Sequence, residues 1–144
     1  MVAGVAHHVT QPGNPRQETI MLSQILLYLG SALPLLWGAA HLLATKSVVK
    51  GFGDISLDNR RIITMEWIVE GVALIFIGVL TVSVTYADRT SVVSTVVYWL
   101  SFGVLNMLSV VSLFTGFRVS FVLFKLCPFI FNTSSILIML GRYV

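Results

Sequence analysis

Four ionisable side chains interrupt otherwise apolar stretches of this sequence, and their types are the ones that support chemistry. They are His41, Glu66, Glu70 and Lys125. Glu66 and Glu70 are four positions apart, so in a helix they stack on one side, where two carboxylates repel each other when both are ionised. A neighbouring cation or a bound proton is therefore needed to neutralise one of them.

Three kinds of site fit this cluster. The first is structural: Glu66 or Glu70 pairs with Lys125, while His41 and Asn106 complete the polar contacts that hold the helices in register. The second is a proton-coupled path, in which a carboxylate alternates between charged and neutral forms as a cation or small solute moves. The third is a metal site with His41, Glu66 and Glu70 as candidate ligands, since imidazole and carboxylate bind divalent cations. Lys125 would oppose that binding.

The composition predicts which elements carry these residues. Of 144 residues, 56% are hydrophobic and 10% are charged, and the mean hydropathy is +0.91. These values exclude a soluble domain and a disordered chain. The net charge of +3 is scattered over separate segments, which argues against a nucleic-acid partner. We expect an all-α integral membrane protein, a bundle of four transmembrane helices whose ionisable side chains face inward.

Four apolar segments are long enough to cross a bilayer. They cover about 20–45, 62–86, 92–115 and 119–140. Together they form a single membrane domain, 15–144, after a polar N-terminal tail at 1–14. At 1.5 Å of rise per residue, the four ionisable side chains all lie roughly 6 to 12 Å from the membrane face that carries the 46–61 connection. They are therefore expected in one leaflet.

Capping signals mark the start of two of these helices. Asn14-Pro15 places a cap residue before a proline at the first helical position. Ser56 or Asp58 is expected to cap the helix that follows the 46–61 connection.

Each predicted helix also carries one polar stripe. Asn106 belongs to the third span, and Lys125 and Asn132, seven positions apart, share one side of the fourth. Gly71 and Gly78 follow a neighbouring stripe of the second span, where small residues let another helix approach. We expect the polar stripes to converge on the core of the bundle.

Other residues are expected at the membrane surface. Arg60 and Arg61 are predicted at the lipid headgroups, with an alternative role in closing the site that contains Glu66. Three tryptophans are interpreted as interfacial anchors: Trp37, Trp67 and Trp99. Five Lys and Arg residues on the side of the 46–61 connection, against three on the other, place that connection in the cytoplasm.

The chain also resembles a known group of proteins. In its size, its four-span plan and the segment Gly38-Ala39-Ala40-His41 near the end of the first span, it resembles the broad DoxX-like group of small bacterial membrane proteins. The resemblance covers the architecture and few specific residues. It implies an accessory subunit associated with quinone-linked oxidoreductases in the bacterial inner membrane.

Three functions remain open from the sequence. The leading hypothesis is a non-enzymatic accessory or scaffold component in the lipid bilayer, which uses its polar cluster for helix specificity. A membrane protein of this size is expected to work as a homo-oligomer or beside a larger membrane partner. The alternatives are a proton-coupled transporter of a small solute or cation, and a membrane subunit of a quinone- or metal-linked oxidoreductase. The residues specify no cofactor.

Overall fold

The computed structural model describes residues 14–119 and 121–144, and this part of the chain is almost entirely helical. Its four α-helices are α1 (Pro15–Gly51), α2 (Leu57–Asp88), α3 (Val92–Phe114) and α4 (Val122–Tyr143), with a 3-10 turn at Gly116–Arg118. Each of the four is long and apolar enough to cross a bilayer. The predicted all-α, four-helix membrane class is thus confirmed. Apart from Asn14, the predicted polar tail lies outside the described residues.

Side-chain caps begin the first two helices where the sequence indicates. The Asn14 carboxamide oxygen accepts the backbone N–H of Arg16 at 3.1 Å, and Pro15 occupies the first helical position. Of the two candidates for α2, Ser56 is the cap: its hydroxyl accepts the N–H of Asn59 at 3.2 Å. Both caps satisfy N–H groups that have no partner within the helix.

The connection between α1 and α2 is shorter than the sequence predicts. Helix α1 continues to Gly51 and α2 starts at Leu57, so residues 52–56 alone join them, rather than 46–61. The extra turns of α1 are held because Val48 and Val49 are buried, which supplies apolar contacts beyond the last long apolar run. Gly53 then adopts a φ of +71°, a left-handed conformation that favours glycine.

The four helices form a ring around a narrow core. Within the described ranges, α1 packs against α2 and α4, and α3 packs against α4 and, less extensively, against α2. Seven buried side chains make up the central cluster: Leu27, Leu74, Tyr98, Leu105, Cys127, Phe131 and Ile138. Most other large apolar side chains point outward, as expected for a bundle surrounded by lipid.

Glycines set the distance between α1 and α2. A Cβ added at Gly38 would lie 2.5 Å from the carbonyl oxygen of Gly71, and one added at Gly78 would lie 2.8 Å from that of Ser31. The two backbones therefore touch. This confirms that Gly71 and Gly78 allow a neighbouring helix to approach closely.

Buried hydroxyl groups fix the register of the other helix pairs. Ser134 in α4 donates to the carbonyl oxygen of Gly30 in α1 at 2.6 Å, and Ser23 in α1 donates to that of Gly141 at 2.6 Å. In α3, Ser109 donates to the carbonyl oxygen of Pro128 at 2.9 Å. The donors are side-chain hydroxyls, so no backbone hydrogen bond within a helix has to break. Each bond therefore joins two helices without weakening either one.

The Ser134 bond leads to a stability prediction. Ser134→Ala is expected to lower the free energy of unfolding by about 1 kcal/mol. The substitution removes a fully buried hydroxyl and its hydrogen bond to the Gly30 carbonyl oxygen, and it leaves a small void in their place. The measurement is equilibrium unfolding in mixed detergent micelles. Thr133→Ala, at an exposed neighbouring position, is the control and should stay near wild type. Equal effects of the two substitutions would contradict the prediction.

Candidate functional site

His41 and Glu70 are the two predicted site residues whose side chains meet. The His41 Nε2 and Glu70 Oε1 atoms are 3.7 Å apart, joining α1 to α2. The His41 side chain is 4% exposed and that of Glu70 is 34% exposed, so the carboxylate is the more accessible partner. The distance suits an ion pair when the imidazole is protonated.

The environment of His41 assigns different roles to its two ring nitrogens. Nδ1 lies 2.8 Å from the backbone oxygen of Trp37, which only accepts, so Nδ1 carries a hydrogen. Nε2 is buried and has no hydrogen-bond partner among the described residues. In the neutral ring Nε2 is therefore the nitrogen without a hydrogen, and it faces Glu70.

Aromatic rings hold the imidazole in place. The Trp67 ring stacks on that of His41 with 4.5 Å between centroids, and its Nε1–H donates to the His41 backbone oxygen at 2.7 Å. Trp37 meets the same ring edge-on at 5.6 Å. Two of the three expected interfacial anchors thus support His41 instead, whereas Trp99 is 48% exposed. The Trp37 contact has a sequence signal, since Trp37 lies four residues before His41; the Trp67 contact has none.

A cavity of about 290 Å³ adjoins the pair. All four helices contribute to its wall, which includes His41, Trp67, Glu70, Ser112, Phe124 and Cys127. The wall combines one carboxylate and one imidazole with two aromatic rings, and no Lys or Arg of the described residues lines it. This lining suits a small cation, because the Glu70 carboxylate supplies negative charge and the lining residues include no basic side chain other than the imidazole.

The remaining predicted site residues do not join this pair. Glu66 and Asn132 are exposed on the outer surface of the bundle. Lys125 is half-buried and has no carboxylate oxygen within 4 Å in the described part of the chain. The Asn106 amide donates to the Phe102 backbone oxygen of its own helix at 2.8 Å. The polar stripes therefore do not all converge on the core.

The separation of Glu66 from Glu70 follows from helix geometry. The buried face of α2 is centred near Trp67 and continues through Gly71 and Leu74. At about 100° per residue, Glu70 lies roughly 60° from Trp67 around the helix and Glu66 lies roughly 100° from it. Glu70 thus stands at the edge of the buried face, and Glu66 stands outside it.

The structure also bears on the metal and ion-pair interpretations. Among residues 14–119 and 121–144, no three His, Cys, Asp or Glu side chains are grouped so as to hold a metal ion. His41 and Glu70 are together, but Glu66 is not with them. The ion pair expected between Lys125 and a carboxylate is not formed. Two ion pairs are present in these ranges, His41 with Glu70 and Arg61 with Asp58.

The two arginines expected near the headgroups have different surroundings. Arg61 is exposed and lies 3.8 Å from the Asp58 carboxylate one turn earlier in α2. Arg60 lines a separate cleft between the ends of α1 and α2. Neither residue lines the cavity beside Glu70.

An apolar layer separates this cavity from the other end of the bundle. Leu74, Leu105 and Phe131 in that layer have no exposed surface. Beyond it lie paired hydroxyl groups between α2 and α3, Thr81 with Ser101 at 3.2 Å and Thr85 with the Tyr98 hydroxyl at 2.9 Å. The layer therefore divides the interior into two polar regions.

Arginines tie the helices together at this second end. The Arg89 guanidinium, in the turn between α2 and α3, donates to the Ser23 hydroxyl of α1. Arg142 Nε in α4 donates to the Thr95 hydroxyl of α3 at 3.1 Å. These bonds fasten the helices at the end opposite the His41–Glu70 cavity.

The fold and site together define the class: an integral membrane four-helix bundle with a His–Glu pair beside a partly open cavity. No family model, no curated protein and no solved structure matches this chain. The resemblance to the DoxX-like group stays a prediction.

Proposed function

We propose that this protein is a proton-coupled transporter of a small cation, with His41 and Glu70 as the residues that exchange the proton for the cation. The observation that carries the proposal is the incomplete pairing of these two side chains beside the cavity. Nε2 of His41 has Glu70 at 3.7 Å and no hydrogen-bond partner among the described residues, and Glu70 is one-third exposed.

The His41–Glu70 pair is poorly suited to fixing how the helices pack. A buried charged pair stabilises a fold only when its remaining hydrogen-bonding groups are satisfied, and here they are not. Helix register is supplied elsewhere, by the glycine contacts between α1 and α2 and by buried hydroxyls such as Ser23 and Ser134. The geometry thus favours the transport alternative over the sequence's leading hypothesis of a purely structural cluster.

The proposed exchange balances in charge. When Nε2 of His41 is protonated, the imidazolium neutralises the Glu70 carboxylate and no further cation is needed. When that proton leaves, the carboxylate binds one monovalent cation in the cavity that Glu70 lines together with Trp67 and Phe124. One proton is released for each cation bound, so the site carries the same net charge in both states.

The apolar layer supplies the barrier that such a transporter needs. Leu74, Leu105 and Phe131 separate the cavity from the hydroxyl-lined region at the other end of the bundle. Transport requires this layer to open on one side at a time. The cavity proposed to bind the cation lies toward the end of the bundle that carries the 52–56 connection.

The proposal includes a location and an orientation. We place the protein in a bacterial inner membrane with the 52–56 connection in the cytoplasm, and Glu70 within the cytoplasmic leaflet. Lys46, Lys50, Arg60 and Arg118 flank the apolar segments on this side, as the positive-inside rule expects. The cavity then faces the cytoplasm.

A proteoliposome assay tests the transport activity. Protein is reconstituted in vesicles loaded with a pH-sensitive dye, and an outward gradient of tetramethylammonium, choline or sodium is imposed. Saturable proton uptake that is driven by at least one of these cations is expected. Proton movement no faster than in protein-free vesicles for all three would overturn the proposal.

A second candidate function, assembly into an oligomer, is favoured by Asn132. This residue lies midway along α4, yet its amide is exposed on the outer surface of the bundle. An amide that faces lipid lacks hydrogen-bond partners, whereas it can both donate to and accept from the same amide of a second copy across a two-fold axis. We propose that α4 joins two copies of this chain in the bilayer.

Asn132→Leu is expected to weaken this self-association about tenfold, because one amide pair between membrane helices contributes 1–2 kcal/mol in model peptides. Energy transfer between labelled copies in vesicles gives the association constant. Asn106→Leu is the control, since the Asn106 amide bonds within its own helix. An association constant that Asn132→Leu leaves unchanged would contradict the proposed dimer. Binding of α4 to a different membrane protein, rather than to a second copy, would also contradict it.

A further inference from the structure

A second cavity, unconnected with the transport proposal, lies between the ends of α1 and α2. It is a cleft of about 610 Å³, lined by Thr45, Lys46, Lys50, Asp54, Arg60 and Thr64. Lys46 and Lys50 are one turn apart on α1, and Arg60 and Thr64 are one turn apart on α2. Each helix thus turns one polar face toward the same space.

The charges that line this cleft are mostly positive and are not neutralised by ion pairs. Three cations, Lys46, Lys50 and Arg60, face one carboxylate, Asp54, which leaves a net charge of +2. None of the three makes an ion pair within 4 Å in the described part of the chain. Like charges held near one another favour binding of an anion that neutralises them.

The cleft also has a fixed depth relative to the apolar segments. The first apolar segment ends at residue 45 and the second begins at 62, so the cationic side chains project just beyond both. This is the level of lipid headgroups in a bilayer, where basic side chains meet phosphate. It is also accessible to small solutes from the aqueous side.

We infer that this cleft binds a phosphate ester that carries neighbouring hydroxyl groups. The Arg60 guanidinium offers parallel N–H donors to two phosphate oxygens, and the lysine ammonium groups supply further positive charge. Asp54 repels phosphate but accepts hydrogen bonds, so it selects esters with a hydroxyl near the phosphate. The headgroup of phosphatidylglycerol and soluble glycerol phosphate both have this chemistry.

The neighbouring arginines give the test a matched pair of variants. Arg60 lines the cleft, while Arg61 points elsewhere and pairs with Asp58. Both side chains are on the surface, so either can be replaced by glutamine with little effect on the fold. If the anionic ligand were held only by a general attraction to the basic surface, the two variants would weaken its binding equally.

The experiment measures binding of short-chain phosphatidylglycerol to the full chain in neutral detergent by native mass spectrometry. Arg60→Gln is expected to weaken binding about fivefold, and Arg61→Gln less than twofold. Lys46→Gln provides a second cleft variant and should resemble Arg60→Gln. Equal losses for Arg60→Gln and Arg61→Gln, or no loss in either cleft variant, would overturn the inference.

A second arm identifies the source of the phosphate. Glycerol phosphate is titrated calorimetrically into the protein in the same detergent without anionic lipid. If it binds and Arg60→Gln weakens it selectively, the cleft takes a soluble ester. If only phosphatidylglycerol shows that selectivity, the cleft is a headgroup site. If the wild type binds neither ligand more tightly than Lys46→Gln does, the inference is contradicted.

Discussion

Gly38→Ala is expected to lower the free energy of unfolding by about 3 kcal/mol, the upper part of the range for overpacked sites. The added methyl would lie 2.5 Å from the Gly71 carbonyl oxygen and 2.9 Å from the Ile75 backbone nitrogen. Both contacts are with backbone, so no side-chain rotation relieves them. The α1 and α2 helices must therefore move apart.

The same substitution should damage the functional pair. His41 and Glu70 lie on the two helices that Gly38 holds together, and Gly71 follows Glu70 directly and is close to the His41 side chain. Separating the helices lengthens the distance between Nε2 and Oε1 beyond 3.7 Å. Loss of stability and loss of cation-driven proton uptake are expected together.

Gly103→Ala is the matched control for Gly38→Ala. It makes the same chemical change within α3, but in the described structure the added methyl has no atom within 4 Å beyond its chain neighbours and the backbone of its own helix. Removing a glycine from a helix there should leave stability unchanged or slightly raised. Thermal and detergent-induced unfolding of both variants measure the difference. If the two variants unfold alike, the close approach of α1 and α2 is not what stabilises this bundle.

The architecture was predictable because it depends on local and additive properties. Hydropathy over about 20 residues identifies a membrane helix without any knowledge of its neighbours. Caps such as Asn14 and Ser56 act within three residues, so their sequence signal is complete in itself. The extension of α1 to Gly51 was missed because it depends on burial of Val48 and Val49 against other helices.

The site was only partly predictable because it depends on how each helix is rotated. Glu66 and Glu70 are roughly 40° apart around α2, and a rotation of that size decides which of them faces inward. The rotation is set by Trp67, Gly71 and Gly78, whose contacts lie on α1. The spacing of the two residues along the chain does not show which of them faces inward. A single cluster containing both carboxylates was therefore predicted, whereas Glu70 lies beside His41 and Glu66 lies on the outer surface.

Asn132 and Lys125 show the same limit on α4. They are seven positions apart and share one side of the helix, as predicted, but that side does not face the His41–Glu70 pair. The buried face of α4 is formed instead by Cys127, Phe131 and Ser134. Small and aromatic side chains that fit closely determine this orientation, and the polar residues occupy the sides that remain.

Glu70→Gln is expected to reduce cation-driven proton uptake at least tenfold. Glutamine keeps the size of the side chain and its capacity for hydrogen bonds, but it cannot ionise, so it neither pairs with protonated His41 nor attracts a cation. Because the protonated imidazole of His41 and the cation compete to neutralise the same carboxylate, uptake by the wild type should rise with pH on the side from which the cation enters. This pH dependence should disappear in the variant.

Glu66→Gln distinguishes this mechanism from a general effect of negative charge on α2. It makes the same change four residues away on the exposed side of the helix, where it is expected to leave uptake within twofold of wild type. Both variants are compared in proteoliposomes of equal protein content, after circular dichroism has shown equal helicity. Equal losses in the two variants would assign the effect to surface charge. Wild-type coupling in Glu70→Gln would remove Glu70 from the exchange and with it the proposed mechanism, since no other carboxylate of the described residues lines the cavity.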